Sequence, residues 1–99
     1  GSIYVVAVMA CWGMVYLRCV EHGLDPDIVV AKGDIAYLKP VDGDIVARSL
    51  PAEEADWQRF FSDFAERGRA KIALRSQVLI GETVAAEFSG LYAIVGVKA

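Results

Sequence analysis

Residues able to act as acid, base, nucleophile or metal ligand are few in this chain, and their positions decide what chemistry it can do. The single histidine, His22, stands at the end of an apolar stretch just before Gly23. A helix C-terminus there makes it a solvated cation near the last carbonyls rather than a general base. Cys11 and Cys19 lie eight residues apart in that same stretch, about two turns along a helix. That separation exceeds the Cα spacing of about 7 Å that a disulfide tolerates. Both are expected as buried, reduced thiols, which implies a reducing, cytoplasmic setting. One histidine and two separated cysteines make no metal-ligand cluster, and no glycine-rich phosphate loop is present. No metal and no cofactor is expected. Asp25, Asp27, Asp42 and Asp44 stand beside proline or glycine and read as turn acids. Asp34 is the best remaining candidate for acid or base, its competing use being a turn aspartate that bonds its own backbone. Ser2 could donate to a substrate or cap a helix.

The elements that must position these residues follow from pattern. Ile3 to Leu17 is uncharged throughout, and Arg18, Glu21 and His22 follow directly. Fifteen residues fall short of the roughly 20 that span a bilayer, so a core helix over Ser2–His22, closed at Gly23, is expected in place of a membrane span. Being apolar almost all round, it is expected to be buried on more than one face. Its valines are mediocre helix formers, so packing must hold it. Leu24 to Asp27 forms a turn. Ile28 to Val41 reads as strand with a bend or bulge near Lys32-Gly33. Asp42-Gly43 is a hairpin signal, with Ile45 to Ser49 as the returning strand. A second helix is expected over Pro51–Arg67, with Pro51 in the first turn and Glu53, Glu54 and Asp56 at the positive end of the dipole. Trp57, Phe60, Phe61 and Phe64 form its apolar stripe, and packing is the expected role of that stripe. After Gly68, Arg69–Ile80 and Thr83–Val97 alternate as two long strands around a Gly81-Glu82 turn.

Ninety-nine residues make one domain, and 56% apolar residues with a mean hydropathy of +0.40 are high for so short a chain. A partner subunit is expected to cover part of that surface. The net charge of −3, without a Lys/Arg cluster, gives no footprint for nucleic acid. A lone apolar helix needs cover on several sides, which a twisted antiparallel sheet supplies by curling around it. The expected class is therefore α+β: a sheet wrapped around a long central helix, with a second amphipathic helix, paired through a free sheet edge into a homodimer or a dimer of dimers.

Particular residues carry a resemblance. Gly1-Ser2-Ile3-Tyr4 leading to Cys11-Trp12-Gly13-Met14-Val15-Tyr16-Leu17 resembles the central helix of a bacterial family of hot-dog thioesterase domains, found alone or fused behind a GNAT-type acetyltransferase domain. Asp27 to Ala31 and Ile35-Ala36-Tyr37-Leu38-Lys39-Pro40-Val41 are similar to its next strand pair. Arg67-Gly68-Arg69-Ala70-Lys71 and Phe88-Ser89-Gly90-Leu91-Tyr92 match later strands. The likeness covers nearly the whole chain. Two departures stand out. The family has a strand and an Asn/Gly/Thr-rich loop before the helix, whereas residues 1–99 read as a single hot-dog domain that starts at the helix. The family also has an Asp-Ala-His-like stretch where this chain has Lys32-Gly33-Asp34.

The resemblance implies an acyl-CoA or acyl-carrier thioesterase. In that reading the first turn of the helix, Gly1, Ser2 and Ile3, offers unpaired N–H groups to the thioester carbonyl. Tyr4, Trp12 and Tyr37 would line the acyl slot, with core packing as their alternative use. Ser2 and Asp34 are the catalytic candidates. Related families often carry a carboxylate two turns into the helix; here Val8 and its neighbours are apolar and the nearest helix acid is Glu21. A non-catalytic acyl-binding domain and a dimerisation module therefore stay open beside the enzyme.

Overall fold

In the computed structural model, which describes residues 2–96, the elements are α1 (Ser2–Glu21), β1 (Asp27–Tyr37), β2 (Val46–Ser49), α2 (Glu54–Arg67), β3 (Arg69–Ile80) and β4 (Thr83–Val95). Residues 27–95 supply one antiparallel four-stranded sheet of order β1-β4-β3-β2. Helix α1 lies along the sheet's inner face and touches all four strands. The long β3–β4 hairpin is the spine of the molecule. Its register runs from Arg69↔Val95 to Ile80↔Thr83, and Gly81 (φ 59°) supplies the left-handed residue that a two-residue loop needs. Ala70, Ile72, Leu74, Ser76 and Val78 of β3 face inward with Phe88, Tyr92 and Ile94 of β4. Strand alternation puts Arg69, Lys71, Ala73 and Arg75 on the outer face.

Helix α1 ends as expected at Gly23 (φ 68°). The N–H of Leu24 reaches the Cys19 carbonyl (2.9 Å) and that of Gly23 the Val20 carbonyl (2.9 Å), a Schellman closure. Its burial differs from expectation. Only Ala7, Cys11, Val15 and Cys19, one stripe at four-residue spacing, are buried. Val5, Met9, Tyr16, Leu17 and Val20 on the opposite side are exposed. A sheet of four strands covers one face of a helix about 30 Å long and leaves the other uncovered. By length and composition α1 could also cross a bilayer, since the uncharged stretch sits inside a helix of 20 residues; a core helix passes the same test.

The Asp42-Gly43 hairpin is a second correction. β1 pairs with β4 and β2 with β3, so β1 and β2 occupy opposite edges of the sheet. Residues 38–45 are a crossover, not a hairpin loop. Gly43 does take a positive φ (96°), so the dipeptide turns the chain, but two strands beyond the turn compete for pairing. β3 uses its two edges for β4 and β2, and β4 uses its second edge for β1. β1 itself stops at Tyr37, where the N–H groups of Leu38 (2.8 Å) and Lys39 (3.1 Å) both reach the Ala85 carbonyl. The expected bulge is present one residue earlier, at the register shift between Val30 and Lys32.

Helix α2 begins at Glu54 rather than Pro51. The N–H of Leu50 bonds the Arg75 carbonyl (2.9 Å) and so continues the β2–β3 pairing, and Glu53 is extended (φ −61°, ψ 137°). Glu53 caps the helix with backbone alone. Trp57 and Phe60 are buried as expected, with Phe61 and Phe64 half-buried beside them. The β4 boundary at Val97 lies outside the described residues.

Candidate active site

The site builds from the first turn of α1. An α-helix leaves its first N–H groups without backbone partners, and the polar end of α1 opens beside the end of β1. There Ile3, Tyr37, Leu38, Lys39, Pro40 and Val41 line an open cleft of about 510 Å³. Ile3 and Tyr37 are therefore brought together at one cleft. Gly1 lies outside the described residues. Ser2 opens the helix and is exposed. Tyr4, next to Ile3 in the chain, does not line the cleft; its ring packs edge-on to Phe88 (centroids 5.6 Å apart, 82° between planes). Its hydroxyl lies above Gly33, where a Cβ would collide with it. Trp12 is elsewhere: it stacks on Tyr16 (5.3 Å, 9°), and ten residues of helix, about 15 Å, separate it from Ser2.

Asp34 does not join this group. Cross-strand partners point to the same face of a sheet. Gly33↔Gly90 and Ile35↔Phe88 are inner pairs, so Asp34↔Ser89 is an outer one. Asp34 lines a shallow outer-face cleft of about 330 Å³ with Lys32, Arg75, Ser89 and Leu91. The sheet itself stands between this carboxylate and the first turn of α1. The strand's alternation and a bulge near Lys32-Gly33 were readable from sequence; the bulge's position between Val30 and Lys32, which decides which parity faces inward, was not.

His22 is held in packing. Its Nδ1 donates to the Arg18 carbonyl (2.9 Å) and its ring stacks on Phe61 (3.8 Å, 15°). Arg18 binds Glu54 (3.2 Å) and lies over the Trp57 ring (5.0 Å). These contacts tie the far end of α1 to α2 and leave its first turn to the cleft.

One polar cluster escaped the sequence reading. Beneath α1, the Ser76 hydroxyl donates to the Ala7 carbonyl (2.8 Å) and the Tyr92 hydroxyl to the Val8 carbonyl (2.6 Å). Cys11 sits between them. Two sheet hydroxyls thus fix the helix axially on the sheet, because sliding it by one residue breaks both bonds. Burial pushes the Cys11 thiol up, against the lowering influence of hydrogen bonds from Ser76 and Tyr92. Burial also raises the Tyr92 phenol, with the Cys11 thiol adding to it. Burial alone raises Cys19. Both cysteines are free. In the native protein neither is expected to react with a thiol reagent on the timescale in which both react in denaturant. The unfolded chain releases thiol protons that the folded chain keeps, so stability is fully present below the ordinary thiol value of 9.0 and falls as pH rises above it. Rapid native labelling, or stability flat across that range, contradicts this.

Comparison with known proteins adds the family. A family model described as "Putative thioesterase (yiiD_Cterm)" matches residues 1–96. The chain belongs to this family. A protein of unknown function from Chlorobaculum tepidum TLS has a similar structure, with a TM-score of 0.90 and 37% identity over 98% of this chain and 65% of its own. A protein from Shewanella oneidensis named a "putative thioesterase" is similar at a TM-score of 0.76 and 32% identity, over 96% of this chain and 61% of its own. The chain thus spans less than two-thirds of the length of either relative. A "probable thioesterase" from Pseudomonas aeruginosa shares the fold at a TM-score of 0.59 and 23% identity, over 70% of this chain and 46% of its own. The α+β hot-dog class follows.

Proposed function

We propose that the chain hydrolyses an acyl thioester carried by CoA or by an acyl-carrier protein, at the cleft between the first turn of α1 and the end of β1. The observation that carries this reading is the coincidence of two things in a thioesterase-family chain: a helix N-terminus and an apolar cleft lined by Ile3, Tyr37, Leu38, Pro40 and Val41. The first-turn N–H groups would bind the carbonyl oxygen and stabilise the negative charge that develops on it when water adds to the carbonyl carbon. Collapse of that adduct breaks the C–S bond and releases a carboxylic acid and a thiol.

The active form in this reading is a homodimer or dimer of dimers in the cytoplasm. Edge strand β1, eleven residues long, has no partner on its outer side among the described residues. The exposed apolar stripe of α1 also calls for cover. A second reading, a non-catalytic acyl-binding domain, is favoured by one observation: among the described residues no acid lines the cleft, and α1 carries none before Glu21.

Hydrolysis of a panel of acyl-CoA and acyl-carrier thioesters, followed by free-thiol release, decides between the two. Turnover above the buffer rate supports the enzyme. Binding of the same thioesters without turnover supports the second reading. If the protein is active, Asp34→Asn is expected to leave kcat/KM within about twofold of the wild type, since a surface change away from the site costs little. A hundredfold loss, of the size that removing a general base causes, would return Asp34 to the mechanism.

A further inference from the structure

We infer that the Tyr4–Phe88 pair is the end wall of the acyl slot and restricts the chain to short acyl groups; this rests on the acyl-thioester reading of the cleft. The inner face of the β1–β4 pair can be followed inward from the cleft, in steps of about 7 Å. Tyr37↔Ala86 stands at the mouth, Ile35↔Phe88 comes next, and Gly33↔Gly90 lies behind. Two glycines face to face leave a side-chain-deep gap between sheet and helix, two pair steps inward from Tyr37 at the cleft. That gap is filled. A Cβ on Gly33 would collide with the Tyr4 hydroxyl and meet the Phe88 ring at 3.0 Å, and one on Gly90 would meet the Phe88 ring at 2.7 Å and the Tyr92 ring at 2.9 Å.

The rings that fill it cannot swing aside freely. Phe88 is 1% exposed and Tyr92 fully buried. Tyr92 is held by its bond to Val8, and Phe88 lies against Tyr4, which rides on the same helical turn as Ile3. An acyl chain entering past Ile3 and Tyr37 therefore has about one pair step of depth before it meets aromatic rings. Tyr4 is the movable part of the wall, being half-buried on the helix rather than sealed in the sheet.

The experiment uses straight-chain acyl-CoA esters from acetyl to palmitoyl, with non-hydrolysable thioether analogues of the same lengths. Wild-type protein is expected to show kcat/KM at least about tenfold higher for butanoyl- than for decanoyl-CoA, the scale on which an apolar pocket discriminates by size. Tyr4→Ala is expected to raise the decanoyl-to-butanoyl ratio at least about tenfold, and Phe88→Leu to move it the same way, with circular dichroism checking the fold of each. Wild-type preference for long chains, or a ratio that neither variant moves, overturns the inference. Absence of turnover refutes the hydrolase reading by itself. The same ratios measured as analogue Kd then decide the end wall, and analogue affinity independent of chain length, or no binding at any length, refutes it too.

Discussion

Trp57→Ala is expected to cost about 3–5 kcal/mol of folding stability, the range for removing a large buried aromatic. Trp57 is 1% exposed. Its ring meets Phe60 edge-on (5.6 Å, 88°), lies near-parallel to Phe61 (6.2 Å, 22°) and carries the Arg18 guanidinium at 5.0 Å. Truncation removes a large apolar surface and leaves a cavity beneath α2. Arg18 then loses its aromatic face and keeps only its ion pair with Glu54, whose side chain is 64% exposed and which is worth little on its own. A domain of this size has about 5–15 kcal/mol of stability in total, so the variant should sit near the edge of folding at physiological temperature. Urea unfolding followed by circular dichroism reads the change. Phe64→Ala, at a half-buried position of the same stripe, serves as comparison and should cost less. A Trp57→Ala loss below about 1 kcal/mol would mean that α2 is not a structural part of the core.

That stripe was readable because helical periodicity needs only the spacing of Trp57, Phe60, Phe61 and Phe64. The Gly81-Glu82 turn and the Gly23 and Gly68 helix ends were readable for a similar reason, each depending on residues within one turn of chain. What escaped depends on residues far apart. Asp42-Gly43 carries the local chemistry of a hairpin, yet whether β2 returns to β1 is decided by β3 and β4, much later in the chain. Pro51 suits a first helical turn, yet the residue before it is tied to the sheet by the bond from Leu50 to Arg75. The face of Asp34 turns on where the expected bulge falls, between Val30 and Lys32, because the side-chain period of a strand is two and a single insertion reverses the parity. Ser76 and Tyr92 looked like ordinary members of alternating strands; their bonds to the Ala7 and Val8 carbonyls appear only once α1 is laid on the sheet. The first turn of α1 was legible as a candidate carbonyl site, while its partner in the cleft, the 37–41 segment, was identifiable only in part through Tyr37.

Gly90→Val should be the other severe substitution, because it pushes against neighbours that are themselves held. Gly90 is buried in mid-β4, and the first atom of any side chain there would lie 2.7 and 2.8 Å from Phe88 ring carbons and 2.9 Å from the Tyr92 ring, well inside the 3.5–4.0 Å at which carbon atoms attract. Moving Tyr92 breaks its hydroxyl bond to the Val8 carbonyl, and moving Phe88 displaces Tyr4 at the first turn of α1. Valine is β-branched and suits strands, so propensity favours the change and only packing opposes it. The cost is expected at the upper end of the range for overpacking, about 3 kcal/mol. Gly13→Ala is the opposite case. Gly13 lies inside α1, where an added methyl group would meet nothing within 4 Å, and alanine there should stabilise the helix by about 1 kcal/mol. Thermal or urea unfolding of the two variants, read side by side, separates packing from propensity. If Gly90→Val is tolerated at a cost below about 1 kcal/mol, the aromatic rings over the two glycines are loosely seated, and the short acyl slot they are argued to close loses its wall.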